Sequence, residues 1–431
     1  MALPANPPAH STYLRPSKGT RRLTLLEKRQ RRLVRLFFRS FLPIVALGYA
    51  FVNLQEMSLY VESLLPDPPA GSWRVPPPDC TPSAPGSGAA PGSGAAPGSG
   101  AAPGSGAAPG SVAVVTGANS GLGLATSRHM SLMGHGLVVL GCRSVDRCLA
   151  AKATLDAERA HLCGDVESNV AVLDVPLDLE DLQAVEAWSR SLSKRTSHVS
   201  HLFLNAGIMS VPVSPRNPQT GLDPQLHTNH LAHYHLTALL LPALKKSPIA
   251  ARVVTTSSLA AQAPFAFDLQ DLNFTARPSA DSLKAYSQSK RANLLFAHGL
   301  QLRLGKHGIA SLAAHPGYSR TSLFANNWHF LPEALSFVKE WAQTNPIGSM
   351  SSEEGALMQV RAAVDLRVTG GSYVSPLLKA VGAPVVALGG EGRSPMLENI
   401  WSWVGFGQAW SDEDVEQFMD WSEGISGLRI E

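Results

Sequence analysis

Tyr286 and Lys290 stand four residues apart in Tyr286-Ser-Gln-Ser-Lys290, within a segment whose apolar residues recur at helical spacing. On a helix that interval puts the phenol and the ammonium on one face. A phenol with its ordinary pKa of about 10 is a poor base at neutral pH. An ammonium one turn away favours the phenolate and lowers that value, so the pair is suited to moving a proton to or from a substrate oxygen. A second chemical element lies far upstream, in Thr116-Gly117-Ala118-Asn119-Ser120-Gly121-Leu122-Gly123. Its glycines permit a tight turn and let the backbone approach a pyrophosphate, while the following helix offers free N–H groups and its positive dipole end. The spacing departs from a strict G-x-G-x-x-G, and a glycine-rich turn alone is a weak signal.

These residues need a frame, and the chain from Val112 to Glu431 supplies one. Short apolar runs at Val112–Val115, Gly136–Leu140, Val170–Leu173, His201–Leu204, Arg252–Thr255 and Ala310–Ala314 read as buried strands. Between them, Gly123–Met133, Leu179–Ser193, Asn229–Leu244 and Ala285–Leu304 carry helical spacing. Strand alternating with helix predicts an α/β fold, a Rossmann-type doubly wound parallel sheet in a single catalytic domain. Such a sheet binds ligands at the carboxyl ends of its strands, where the glycine turn falls.

In type and order, T-G-x-x-x-G-L-G, Asn205-Ala206-Gly207, Ser258 and Tyr286-Ser-Gln-Ser-Lys290 resemble the short-chain dehydrogenase/reductase family. The resemblance extends to Thr228-Asn229-His230-Leu231, to His315-Pro316-Gly317-Tyr318-Ser319-Arg320-Thr321 and to Glu354-Gly355-Ala356-Leu357. Within the family, Tyr286-Ser-Gln-Ser-Lys-Arg-Ala-Asn and the long gap from Ser258 to Tyr286 look like the retinol-dehydrogenase-like branch. The resemblance implies Tyr286 as catalytic acid/base and Lys290 as its partner and a ligand of the nicotinamide ribose. Ser258, chosen over the adjacent Ser257 by the family's register, would bond the substrate oxygen, and Asn229 would hold a relay water. A nicotinamide cofactor would lie against Gly117, Asn119, Ser120, Gly121, Leu122, Gly123, Asn205, Ala206, Gly207, Pro316, Gly317 and Thr321. Asp178 and Leu179 match the adenine contact, with Asp174 a nearby competitor. After the second strand comes Gly141-Cys142-Arg143-Ser144, with no acid for a ribose hydroxyl and a guanidinium available for a 2′-phosphate. NADP is therefore expected, with NAD as the alternative.

Ahead of this domain the sequence changes character. Residues 1–66 hold a basic stretch whose Leu33, Leu36 and Phe37 share one helical face, then an uncharged run from Ser40 to Gln55. That run spans roughly 24 Å as a helix, short of a hydrocarbon core of about 30 Å unless Leu36 to Phe38 join it. A membrane anchor is expected, single-pass or interfacial; a cleaved transit segment is the alternative. The organelle stays open between endoplasmic reticulum, plastid and mitochondrion. Residues 67–111 include repeats of APGSGA and read as a disordered linker, since small residues, Gly and Pro build no core.

A net charge of +3 gives no ground for a nucleic-acid partner. The four cysteines Cys80, Cys142, Cys148 and Cys163 form no C-x-x-C pair and read as unpaired. The histidines 227, 230, 233 and 235 recur at helix-like intervals, but no Cys or Glu completes a coordination shell, so no metal is expected. Leu323–Gln343 and Leu377–Gly390, rich in Phe, Trp, Leu and Val, are expected to form a substrate-side lid. The function expected is hydride transfer between nicotinamide and a hydrophobic alcohol or carbonyl such as a retinoid, steroid or lipid aldehyde. A plastid pigment or lipid reductase of the same family is the alternative, as is a catalytically retired scaffold.

Overall fold

The computed structural model describes residues 78–80, 110–209, 211–262, 269–275, 282–317, 350–376, 384–388 and 410–431. Strands β1 (Val112–Thr116), β2 (Leu137–Gly141), β3 (Val170–Val172), β4 (His201–Leu204), β5 (Arg252–Thr256) and β6 (Ala310–Ala314) fall where the apolar runs predict them. Two more follow, β7 (Tyr373–Pro376) and β8 (Pro384–Leu388). The sheet order is β3-β2-β1-β4-β5-β6-β7-β8. All neighbours run parallel except β7 and β8, which are antiparallel. The order reverses between β1 and β4, and such a switch point opens a crevice at the carboxyl ends of the two strands.

Helices cover both faces. On one, Val114, Leu202, Leu204 and Val253 pack with Trp188, Tyr234, Leu236, Phe296 and Phe418. These side chains come from helices α3 (Leu182–Arg195), α4 (Ala232–Lys245), α5 (Ser282–Leu304) and α7 (Asp412–Ser426). On the other face, Val115, Leu140, Phe203 and Leu312 pack with Met130, Leu155, Met358 and Val364. They belong to α1 (Gly121–Leu132), α2 (Val145–Cys163) and α6 (Ser352–Val364). The central strands are buried on both sides, which is why they read as continuous apolar runs.

Three expectations are revised. Cys80 is bonded to Cys163 and Cys142 to Cys148, with Cα separations of 5.1 and 5.9 Å, so the reading as unpaired thiols is wrong. Residues 67–111 are not uniformly free linker either. Asp79 donates its N–H to the Leu132 carbonyl at 2.6 Å, and the Cys80 bridge fastens the same spot to the end of α2. Part of Leu377–Gly390, read as lid, forms the edge strand β8 instead. Leu323–Gln343, Thr321 and the segment 1–66 lie outside the described residues. Among the described residues no helix is long and apolar enough to cross a membrane.

Candidate active site

Strand β1 ends at the buried Thr116 and turns through Gly117, at φ +67°, into α1, which begins at Gly121, at φ +56°. A side chain at Gly123 would place its Cβ 2.2 Å from the Gly117 carbonyl oxygen and 2.7 Å from Asn205 Nδ2. The turn therefore closes only with hydrogen at that position. Ser120 at the N-cap makes no capping hydrogen bond with its side chain, so first-turn N–H groups of α1 remain available to a ligand. They face a cavity of ≈ 460 Å³ lined by Gly117, Asn119, Ser120, Gly121, Leu122 and Gly123. An uncapped helix start behind a glycine turn is suited to a phosphate group. The residues present therefore fit a dinucleotide.

The same cavity is lined by Asn205, Ala206 and Gly207 after β4, by Ser258, Tyr286 and Lys290, and by Pro316 and Gly317 after β6. Thr116 secures the β4 loop. Its hydroxyl accepts the N–H groups of Asn205 and Ala206 at 2.9 and 3.0 Å, and it lies 3.0 Å from His233 Nε2. His233 Nδ1 is 3.1 Å from the Asn229 carbonyl, which can only accept. The proton therefore sits on Nδ1, and Nε2 is left as an acceptor that shares the Thr116 hydroxyl's one hydrogen with the Phe203 carbonyl at 3.2 Å. Burial holds His233 down to about 4, so it stays neutral. The other three histidines of the cluster are likewise buried, against Thr220, Ser422 and Ser426.

Tyr286 and Lys290 are 5% and 3% exposed on α5, one turn apart as their spacing requires. The phenol does not move as that spacing predicts. Burial pushes Tyr286 up to about 12, opposed by a hydrogen bond with the Ser258 side chain. Burial also pushes Lys290 down to about 8. Its ammonium turns to the Thr256 carbonyl at 3.2 Å and lies 5.8 Å from the centre of the Tyr286 ring. At that distance desolvation of both groups outweighs their mutual effect. Of the two candidate serines, Ser257 donates its hydroxyl to the Lys290 carbonyl at 2.9 Å, leaving Ser258 beside the phenol.

Asn229 stands behind the cavity, fully buried in a π-helical turn, His227–Leu231, ahead of α4. Its Oδ1 accepts from the Ile208 N–H at 2.7 Å, and its Nδ2 donates to the Ile208 carbonyl and to Ser289 Oγ, both at 2.9 Å. Both amide hydrogens and one lone pair of the oxygen are thereby used, and the side chain braces the loop. A Cβ on Gly207 would come within 3.1 Å of both Asn229 Oδ1 and Lys290 Nζ, so glycine lets the loop pass between them.

At the far end, Arg143, Asp178 and Leu179 line the cavity, while Asp174 does not and instead accepts from Ser191. Asp178 accepts the N–H of Glu180 in a local turn at 3.0 Å. The Arg143 guanidinium, 67% exposed, pairs with Glu180 at 2.9 Å. Glu180 and Gln359 belong to no motif and escape a reading by spacing, and neither the motif that holds Thr116 nor the spacing of His233 announces the bond between them.

Residues 111–269 match the family described as short chain dehydrogenase. Human retinol dehydrogenase 12 is 34% identical over 243 residues, 54% of this chain and 71% of that protein. Human retinol dehydrogenase 13 is 35% identical over 210 residues, 49% of this chain. The match spans 59% of the length of retinol dehydrogenase 13, less than two thirds. The crystal structure of an uncharacterized protein from Mycobacterium Paratuberculosis superposes with a TM-score of 0.51 at 32% identity, covering 74% of this chain and 94% of that one.

Proposed function

The chain belongs to the short-chain dehydrogenase family, and from that premise we propose that it is an NADP-preferring oxidoreductase of hydrophobic alcohols or carbonyls. One observation carries the reading: Ser258, Tyr286 and Lys290 line the same cavity as the Gly117–Gly123 turn. The nicotinamide cofactor supplies the hydride chemistry when bound. Its phosphates would be held by the glycine turn and the start of α1, and its 2′-phosphate by Arg143. In carbonyl reduction Ser258 donates a hydrogen bond to the carbonyl oxygen and orients it, and Tyr286 Oη delivers the proton that oxygen takes up. Lys290, held by the Thr256 carbonyl, would bind the ribose of the cofactor. Ile208, Met209 and Val211 give the cavity apolar lining suited to a hydrophobic substrate, and relatives in sequence are named retinol dehydrogenases.

The test is a panel of retinoids, steroids and aliphatic aldehydes with NADPH and NADH, read by cofactor oxidation at 340 nm. Turnover of at least one hydrophobic carbonyl is the expected result. A protein that binds neither cofactor overturns the reading.

Residues 1–66 serve in this proposal as the membrane anchor, and the basic flank sets the catalytic domain on the opposite side of the membrane from the N-terminus. The two disulfides support that side being an oxidising compartment. The full chain should sediment with membranes and resist extraction by alkaline carbonate. Release by carbonate into the supernatant excludes a spanning anchor.

A further inference from the structure

Gln359 comes from α6, well over two hundred residues along the chain from the glycine turn, and is 1% exposed. Its neighbours on the helix, Met358, Val360, Ala362 and Ala363, are buried and apolar, as helix packing against a sheet requires. The amide makes contacts of a different kind. Nε2 donates to Thr126 Oγ1 at 2.6 Å and to Asn205 Oδ1 at 3.1 Å. Oε1 accepts from Thr256 Oγ1 at 2.8 Å. Both amide hydrogens and one lone pair of the oxygen are thereby used.

Those partners sit on three different elements that border the cavity, and Asn205 and Thr256 line it themselves. Thr126 lies on α1, whose start faces the cavity. Asn205 opens the loop through Ala206 and Gly207, and its orientation is fixed by donation from Nδ2 to the Thr116 carbonyl at 2.9 Å. Its Oδ1 is therefore turned to Gln359 as an acceptor. Thr256 ends β5 two residues before Ser258, and its carbonyl receives Lys290 Nζ at 3.2 Å and Asn293 Nδ2 at 3.0 Å. One side-chain amide thus joins the helix of the glycine turn, the β4 loop and the strand end that carries Ser258 and holds Lys290.

We propose that Gln359 is a positioning residue, whose amide holds the dinucleotide end of the cavity in register with the Ser258–Lys290 end. The proposal rests on the reading of the glycine turn and the β4 loop as a nicotinamide-dinucleotide cradle. An apolar residue of similar size satisfies the packing of α6 but leaves the buried hydroxyls of Thr126 and Thr256 without their partner and the half-buried Asn205 Oδ1 without its donor. Cofactor affinity then falls although the fold persists.

The test compares Gln359→Leu and Gln359→Glu with the wild type in the full chain, titrating NADPH by quenching of tryptophan fluorescence and recording melting temperatures alongside. Gln359→Leu should weaken NADPH about tenfold at every pH, the scale of a buried acceptor left unpaired. Gln359→Glu separates the amide's chemistry from its bulk. As a carboxylate it only accepts, and it faces another acceptor at Asn205. As a carboxylic acid it again has one O–H to donate and one oxygen to accept. Protonation therefore restores one of the two donors, the one that Asn205 Oδ1 needs, so the Gln359→Glu affinity should recover part of the way toward wild type as pH falls, relative to the wild type at each pH. A residue serving only to fill space gives no such recovery. Folded Gln359→Leu with wild-type affinity overturns the proposal, as does a Gln359→Glu loss that is the same at every pH. Should Gln359→Glu not fold, the Gln359→Leu titration still decides. A wild type that binds neither NADPH nor NADH overturns the cradle reading as well, whereas unaffected variants of a binding wild type overturn only the role of Gln359.

Discussion

Tyr286→Phe is expected to abolish turnover almost completely while leaving the fold and cofactor binding intact. The ring is 5% exposed and keeps its packing when the hydroxyl is removed, so the melting temperature should change little. What disappears is the proton donor beside Ser258. Positioned acid–base groups contribute about 10²–10⁴-fold to rate, and a loss in that range in kcat is expected with the NADPH Kd unchanged. Burial makes the direction of the reaction part of the prediction. In the free chain the phenol is pushed up to about 12, so at neutral pH it holds its proton and is ready to donate to a carbonyl. The oxidative direction needs the phenolate instead, and its kcat/KM should climb with rising pH toward the phenol's titration. Reduction should stay level over the same range. In the phenylalanine variant the residual oxidative rate should lose that climb. Wild-type-like turnover would remove Tyr286 from the mechanism; a flat oxidative profile in the wild type would remove the phenolate.

How legible all this was in the sequence depends on how far apart the cooperating residues lie. β1, β4 and β5 are covered by helices on both faces, so their centres read as short apolar runs, although β4 opens on His201 and β5 carries Arg252, Thr255 and Thr256. β7 ends in Pro376 and has Ser375 within it, and nothing in so short a stretch announces a strand. Helix α2 buries only Cys148, Ala151, Leu155 and Arg159 of its nineteen residues, too sparse a stripe to stand out. The site divides in the same way. Tyr286, Lys290 and the glycine turn are local patterns whose geometry follows from one helix or one turn. The braces behind them are not local: Thr116 meets His233 across 117 positions and Thr126 meets Gln359 across 233. No spacing rule reports such a pair, because the sheet order and not the chain brings them together. The same reason hid the Cys80–Cys163 bridge, which joins positions 83 apart. Proximity in sequence also misled: Lys290 lies one turn from Tyr286, yet its ammonium is drawn to the Thr256 carbonyl.

Truncating Arg143 should weaken NADPH by roughly ten- to a hundredfold and leave NADH nearly unaffected. The 2′-phosphate brings about two negative charges to the end of β2, and a guanidinium meets it with charge-assisted, bidentate hydrogen bonds. Bonds to charged groups are worth about 1.5–3 kcal/mol, which sets the size of the loss. The ion pair with Glu180 does not change the direction. Arg143 is 67% and Glu180 52% exposed, and a pair so open to water contributes little, so a phosphate carrying more charge displaces the carboxylate. It does add a control. Glu180→Gln removes the competitor and should tighten NADPH modestly, with no effect on NADH. Arg143→Asp should go further than Arg143→Ala, because an acid repels the phosphate and offers an acceptor to the ribose hydroxyl of NADH. The measurement is kcat/KM for both cofactors in the wild type, Arg143→Ala, Arg143→Asp and Glu180→Gln. The expected order of the NADPH-to-NADH ratio is Glu180→Gln, wild type, Arg143→Ala, Arg143→Asp, from highest to lowest. A wild type that already prefers NADH, or a ratio unmoved by either arginine substitution, leaves Arg143 as a surface residue whose partner is Glu180 alone.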